Sequence, residues 1–156
     1  MTAKTERRSP ARGGGQEPRH RAREATVQML YQWEVGRQPM ADVVRTFWQH
    51  DRAAAPTLSD DHRQFAERLA AGVAEQVAAL DPMISEAAEH WRLERMNVMD
   101  RLILRLAVYE FLHERDTPSR VIINEALELA RTFSTDDAVR FINRLLDAVR
   151  RRLERE

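Results

Sequence analysis

The sequence predicts an all-helical protein with about seven helices. Apolar residues recur every three or four positions through most of the chain, as on one face of an α-helix. No segment alternates apolar and polar residues between turn signals in the manner of a half-buried strand. The 156 residues are enough for one domain with a hydrophobic core.

The first 18 residues differ in composition from the rest of the chain. They contain three consecutive glycines and two prolines, and almost nothing apolar. Such a segment cannot bury enough surface to offset the entropy of ordering it. The sequence therefore predicts a disordered basic tail over residues 1–18 and a helical domain over residues 19–156.

The first predicted helix begins at Arg19 and ends before Gly36 and Pro39, which stop helices. One stripe of this helix carries the residues Ala22, Ala25, Thr26, Met29, Leu30 and Trp33. A second, short helix is predicted over residues 40–50, and a loop over residues 53–57.

The next two predicted helices are placed by their capping signals. Ser59 is expected to cap the third helix, whose apolar face extends to Leu80. Asp81 is expected to cap the fourth helix, with Pro82 in the first helical position. That helix is predicted to end near His90.

The segment 96–113 is apolar almost all round, which is typical of a central helix covered by others. Pro118 separates it from the last two predicted helices, over residues 121–133 and 137–153. These assignments complete a count of about seven helices.

The zero net charge is unevenly distributed along the chain. Residues 1–23 hold seven basic and two acidic side chains, whereas the remainder holds 18 basic and 23 acidic ones. A basic arm on an acidic body is typical of proteins with a polyanionic partner, and also of a solubilising tail. Composition leaves both interpretations open.

The sequence offers no signal for catalysis, a metal or a cofactor. Cysteine is absent, so disulfides, thiol catalysis and thiolate sites are excluded. No Gly-rich phosphate loop is followed by Lys and Ser or Thr, and the five histidines never pair four residues apart. With no apolar membrane span or secretory signal either, we expect a cytoplasmic protein that is not an enzyme.

An arginine-rich segment at the start of the first helix is one candidate binding surface. It contains Arg19, His20, Arg21 and Arg23, and Tyr31 lies roughly opposite the apolar stripe of the same helix. Arginines beside an outward aromatic ring can hold phosphates and stack an unpaired base. Alternatively, Tyr31 and its apolar neighbours pack against a second element or a dimer partner.

The last predicted helix carries a second candidate surface. Phe141 lies at the edge of the apolar stripe, toward the flank that bears Asp137 and Arg140. A phenylalanine at such an edge is either partly buried packing or, between arginines, a stacking platform. Asp100 and Arg101, near the start of the central helix, are otherwise ordinary charges at a helix start.

Several stretches resemble the NusB family. Residues 19–32 are similar to its arginine-rich first helix, residues 100–110 to its fifth helix, and residues 118–147 to its last two helices. Trp91 and Arg95 also stand where this family commonly has them. The resemblance runs in order from about residue 19 to residue 149.

This resemblance implies two packed three-helix subdomains, a boxA-type RNA ligand and a partner, the NusE-type small-subunit ribosomal protein. The pair would help RNA polymerase read through terminators, especially in ribosomal RNA operons. Asp100 and Asp137 would lie toward the protein partner. Carried over by position, the RNA-binding residues are Arg19, His20, Arg21, Arg23, Tyr31, Arg101, Arg140, Phe141 and Arg144.

The chain departs from the family pattern at three positions. Ser134 and Arg144 stand where the family usually has glycine, and Ala138 where it commonly has serine. Arg144 either adds a phosphate contact or obstructs a close backbone approach. Two other functions fit the sequence: a structural helical module or homodimer, and an accessory domain like that preceding some RNA cytosine methyltransferases.

Overall fold

The computed structural model describes residues 16–50, 58–89 and 92–156. The regular structure in these ranges consists of seven α-helices and a 3₁₀ turn, Leu93–Arg95, so the predicted all-α class is confirmed. The predicted loop over residues 53–57 and the first 15 residues of the predicted tail lie outside the described ranges. The helices are α1 Gln16–Glu34, α2 Met40–His50, α3 Asp60–Glu75, α4 Val77–Ala88, α5 Val98–His113, α6 Ser119–Phe133 and α7 Asp136–Arg152.

Two sets of helices pack around a shared centre. Helices α1, α2 and α3 contact one another, and α4, α5, α6 and α7 form the second set. Helix α5 contacts α1 and α3 as well as its own set, and its residues 102–111 are all buried. The central helix predicted from its apolar circumference is therefore α5. The two sets contain three and four helices, where the resemblance implied three and three.

Helix α1 begins earlier than predicted. Its first residue is Gln16, so the last three residues of the predicted tail are helical. Pro18 is tolerated because it lies in the first turn, where backbone N–H groups have no partner within the helix. Glu17 also lies in this turn, where the helix dipole favours a negative charge.

The boundary between α3 and α4 was predicted wrongly. The helices are separated at Gln76 and not at the Asp81-Pro82 pair, and Pro82 lies inside α4. The Asp81 carboxylate does not cap a helix, because it accepts two hydrogen bonds from Arg105 on α5, of 2.8 and 2.9 Å. This contact between helices replaces the local capping role that the sequence suggested.

Side-chain caps fix the starts of three helices. Ser59 accepts a hydrogen bond from the backbone N–H of His62, which confirms the cap predicted for α3. Asn97 and Thr135 do the same for α5 and α7. Helices α5, α6 and α7 each start within two residues of the predicted position.

Candidate nucleic-acid interface

Arg23 lies inside the protein and not on its surface. Its side chain is only 2% exposed, and its Nε and Nη2 atoms donate to the two carboxylate oxygens of Glu110 at 2.8 and 2.7 Å. Such a two-point ion pair binds α1 to α5 across the core. The expectation that Arg23 presents its guanidinium to a ligand is therefore corrected by its burial.

His20 is buried between two carboxylates. Its Nδ1 atom is 2.6 Å from Glu125 on α6, and its Nε2 atom is 3.1 Å from Glu24 on α1. Hydrogen bonding to Glu125 and then to Glu24 raises the pKa of His20 to about 9, so the ring is charged at neutral pH. His20 thus joins α1 to α6, and the prediction of an exposed His20 is also corrected.

The other two arginines at the start of α1 are partly accessible. The guanidinium of Arg19 lies 4.3 Å from the centre of the Phe65 ring, a cation–π distance. Arg21 forms an ion pair with Glu17, at 3.6 Å between Nε and Oε2. Of the four basic residues predicted here, Arg19 and Arg21 are the two that reach the surface.

Tyr31 lies on the outer face of α1, as the helical wheel predicts. Its side chain is 42% exposed. Arg21 and Gln28 share this face, because their positions around the helix differ from that of Tyr31 by about a quarter turn or less. The helical rise places Arg21 about 15 Å from Tyr31 along the axis.

Arg101 is held by its own chain. Its Nη2 atom donates to Glu34 at the end of α1, at 2.9 Å, and its Nη1 atom donates to the carbonyl oxygen of Leu93 at 3.1 Å. Glu34 also accepts a 3.2 Å hydrogen bond from Arg105. Arg101 therefore fastens the end of α1 and the 3₁₀ turn to the start of α5.

Two hollows lie on either side of Phe141 and Arg144 on α7. The first, here called the α5–α7 hollow, has a volume of about 370 Å³. Its lining residues are Arg95, Met96, Asn97, Asp100, Thr135, Asp137, Ala138, Phe141 and Arg144. The second, the α4–α7 hollow, has about 380 Å³ and is bounded by residues 87–89 at the end of α4. Phe141 and Arg144 thus form the ridge between them.

The two aspartates predicted to face the protein partner also line the α5–α7 hollow. Asp100 accepts a 2.6 Å hydrogen bond from the hydroxyl of Ser134. Asp137 accepts one of the same length from Arg140, and both side chains of that pair are largely exposed. Residues predicted for the RNA and residues predicted for the partner are therefore neighbours at one site.

The end of α1 is joined to the start of α5, which contributes to this hollow. Tyr31 lies one helical turn before Glu34, and Glu34 binds Arg101. Arg101 follows Asp100, which lines the hollow. The end of α1 that carries Tyr31 is thus linked through Glu34 and Arg101 to the helix that borders the hollow, whereas Arg21 is farther along α1.

Arg95 is a candidate binding residue that sequence reasoning missed. It matched the family pattern, but nothing in its local sequence indicated a role. Its place in the α5–α7 hollow depends on the packing of α7 against the start of α5. Since Phe141 follows it by 46 positions, no spacing rule links the two.

Within the described ranges, no group of three or more histidine or carboxylate side chains is placed to hold a metal ion. In the same part of the chain, no helix is long and apolar enough to cross a membrane.

The helical bundle and its aromatic, arginine-bearing hollows define an all-α binding module. The family model described as the NusB family matches residues 20–151, which is most of the chain. The chain belongs to the NusB family.

Similar proteins agree with this assignment. A transcription antitermination protein NusB from Solibacter usitatus is 43% identical over 139 residues, covering 86% of this chain and 90% of the relative. Another, from Treponema denticola, is 33% identical over 133 residues and covers 85% and 95%. These relatives are named as antitermination factors and not as enzymes, in agreement with the predicted absence of enzymatic activity.

Solved structures share the fold. The structure of T. maritima NusB has a TM-score of 0.77 and 34% sequence identity, covering 86% of this chain and 91% of that one. A chain in a crystal structure of the antitermination factors NusB and NusE in complex with dsRNA has a TM-score of 0.77 over 87% of this chain and 98% of that one. At 18% identity, this second likeness is evidence of fold alone.

Proposed function

We propose that the protein is a transcription antitermination factor that binds boxA-type single-stranded RNA together with the NusE-type small-subunit ribosomal protein. The pair acts in the cytoplasm on the transcribing RNA polymerase complex and promotes read-through in ribosomal RNA operons. The names of the relatives support the antitermination role. The solved complex of NusB and NusE with dsRNA supports RNA and a NusE-type protein as the two classes of partner.

The ridge between the two hollows is the observation that carries the RNA-binding proposal. Phe141 is half-buried, so its ring is anchored while one part of it stays accessible, and Arg144 beside it is exposed. Unpaired bases stack on aromatic rings, and guanidinium groups bind the phosphates between them. Tyr31, on the outer face of α1, adds a second accessible ring.

The aspartates of the α5–α7 hollow support a basic protein partner. Asp137 is almost fully exposed, and the only hydrogen bond of its carboxylate among the described residues is to Arg140, a neighbour on the same helix. Exposed ion pairs of this kind contribute little stability and exchange readily. Asp137 is therefore available to a basic group of the partner.

The proposal is tested by titrating boxA-like single-stranded RNA with the full chain, alone and with the NusE-type protein present. The expected result is tighter binding of boxA-like RNA than of a scrambled RNA of the same length. The affinity for boxA-like RNA should rise further when the NusE-type protein is added. A protein that binds both RNAs equally and gains nothing from the partner contradicts the proposal.

A charge reversal separates the two partners. Asp137→Arg should weaken binding of the NusE-type protein by about tenfold or more while RNA affinity stays equal or rises, because it places a like charge opposite a basic group. Asp136→Arg is the matched control, since Asp136 lies on the same helical turn but does not line the hollow. If Asp137→Arg lowers the affinity for RNA and the affinity for the NusE-type protein equally, Asp137 does not act on the protein partner alone.

A homodimer is a second candidate assembly. In the described ranges, the exposed large apolar side chains are those of Tyr31 and Val35, which are 42% and 47% exposed. Tyr31 lies on the outer face of α1, and Val35 directly follows this helix. Light scattering on the purified chain measures this directly. A dimer that Tyr31→Ser dissociates supports the α1 contact, whereas a monomer at every concentration excludes it.

A further inference from the structure

The arginines of this protein divide into those with an acidic partner and those without one. Most of the arginines predicted to bind RNA are held by carboxylates of their own chain. These pairs are Arg21 with Glu17, Arg23 with Glu110, Arg101 with Glu34, and Arg140 with Asp137. A guanidinium engaged in this way must give up its partner before it binds a phosphate.

Arg95 and Arg144 lack such partners. In the portion of the chain that the structure describes, neither guanidinium takes part in an ion pair, a hydrogen bond or a ring contact. Both side chains are exposed, and both line the α5–α7 hollow together with Phe141. Two arginines without an acidic partner among the described residues therefore line one concave surface. Arg95 comes from the 3₁₀ turn, and Arg144 comes from α7.

The acids of the same hollow form no ion pair with Arg95 or Arg144. Asp100 and Asp137 lie in the first turns of α5 and α7, where the positive ends of the helix dipoles favour negative charge. In the free protein, Asp100 accepts the hydrogen bond from Ser134, and Asp137 forms an exposed ion pair with Arg140. Both aspartates thus have other partners among the described residues, and neither one holds Arg95 or Arg144.

We propose that Arg95 and Arg144 form a phosphate clamp across the α5–α7 hollow, which holds a phosphodiester of single-stranded RNA beside the ring of Phe141. The inference rests on the proposed RNA-binding function and assigns its main electrostatic contact. The volume of about 370 Å³ lies in the range of small-ligand sites. A hollow lined by one aromatic ring and two guanidinium groups fits a nucleotide better than an acidic peptide, because the ring can stack a base while the guanidinium groups bind its phosphate.

Arg144 can serve this clamp without a cost to the fold. Since Arg144 is exposed on α7, its side chain extends from the helix without displacing any core residue. Its charge therefore adds to the binding surface and does not disturb the packing of α7.

The clamp is tested by the salt dependence of RNA binding by the full chain. For single strands, each phosphate contact contributes about 0.7 to the slope of log affinity against log salt concentration. Arg95→Ala and Arg144→Ala should each lower the slope by about 0.7 and weaken binding about fivefold at about 0.1 M salt. The double variant should lose about 1.4 in slope and about 25-fold in affinity, while lysine at either position should preserve the slope.

Arg120→Ala is the matched control. Arg120 is exposed and also lacks a partner within the described ranges, but the length of α6 places it about 20 Å from Ser134 beside the hollow. Its variant should bind RNA with the slope of the unmodified chain. The side chains of Arg95, Arg120 and Arg144 are all exposed, so thermal unfolding midpoints should stay unchanged, and this is measured in parallel.

The outcomes separate the clamp from the proposed function. If the unmodified chain prefers boxA-like RNA but the double variant keeps its slope, the clamp is wrong and the RNA-binding function stands. If the unmodified chain does not bind RNA, both are overturned. If the double variant loses affinity for the NusE-type protein but not for RNA, the hollow is a protein-binding surface, and the clamp is again overturned.

Discussion

The start of α1 and the α5–α7 hollow both place arginines beside a phenylalanine ring, yet they use them differently. At the start of α1, Arg19 lies over Phe65 and Arg23 is buried against Glu110. In the hollow, Arg95 and Arg144 lie beside Phe141 with no acidic partner in the described part of the chain. The first region uses its charge to assemble helices, and the second leaves its charge available to a ligand.

The number of arginines in a segment therefore does not measure the positive charge that the segment exposes. A guanidinium can enter a core only when an acid accompanies it, because desolvating an unpaired charge costs several kcal/mol. Glu110 supplies that acid to Arg23 from α5, and Glu125 supplies one to His20 from α6. Much of the basic character of residues 19–23 is therefore neutralised inside the molecule.

The largest expected effect comes from Arg23→Ala. It leaves the Glu110 carboxylate buried without its two hydrogen bonds, and should lower the free energy of unfolding by about 3–5 kcal/mol. Urea denaturation measures this change. Replacing both partners by apolar residues, Arg23→Met with Glu110→Leu, should restore much of the loss because no charge then stays buried. A stable Arg23→Ala protein with weakened RNA binding would reverse the comparison.

The next effect is a pH dependence that originates at His20. The folded-state pKa of about 9 exceeds the ordinary value of 6.5, so the stabilisation is complete below pH 6.5 and is lost as the pH rises through 9. The loss should amount to about 3 kcal/mol between these limits. Urea unfolding at several pH values from about 6 to about 9.5 measures it.

His20→Gln is the control for this pH dependence. Glutamine keeps a donor near Glu125 but does not titrate, so the decline in stability over this interval should disappear in the variant. An unchanged decline would show that another group is responsible, and that His20 is not charged in the fold.

The fold could be predicted from the sequence where the residues that determine it are close together in the chain. The cap at Ser59 was predicted correctly because its hydrogen bond joins residues three positions apart. The α3–α4 boundary was predicted wrongly because Asp81 is engaged by Arg105, 24 positions away. Local capping rules cannot include such a partner, since it is brought near only by tertiary packing.

The candidate site was predictable to a similar extent. The outward position of Tyr31 and the edge position of Phe141 follow from helical geometry, and the structure agrees with both. The burial of Arg23 depends on Glu110, 87 positions away, and the place of Arg95 depends on the docking of α7. The sequence pattern therefore predicts which side of a helix a residue occupies, but not which residues of other helices contact it.

Phe141→Ala tests whether the aromatic ring in the α5–α7 hollow binds RNA. If the ring stacks a base, the substitution should cost about 1–3 kcal/mol in RNA affinity, measured by titration with boxA-like RNA. Phe133→Ala is a suitable control, because Phe133 is also half-buried but lines neither hollow. A loss of stability in Phe141→Ala with unchanged RNA affinity would assign the ring to packing alone.

The smallest effect is expected at Arg21, the accessible arginine of α1 with an acidic partner. To bind a phosphate, Arg21 must leave Glu17, and a surface pair of this kind is worth less than about 1 kcal/mol. Arg21→Ala should therefore weaken RNA binding only about twofold, and Glu17→Gln should strengthen it by a similar factor. Titration at fixed salt measures both. If Arg21→Ala costs more affinity than Arg144→Ala, the available charge lies on α1 after all, and pairing in the free protein does not decide which arginines bind.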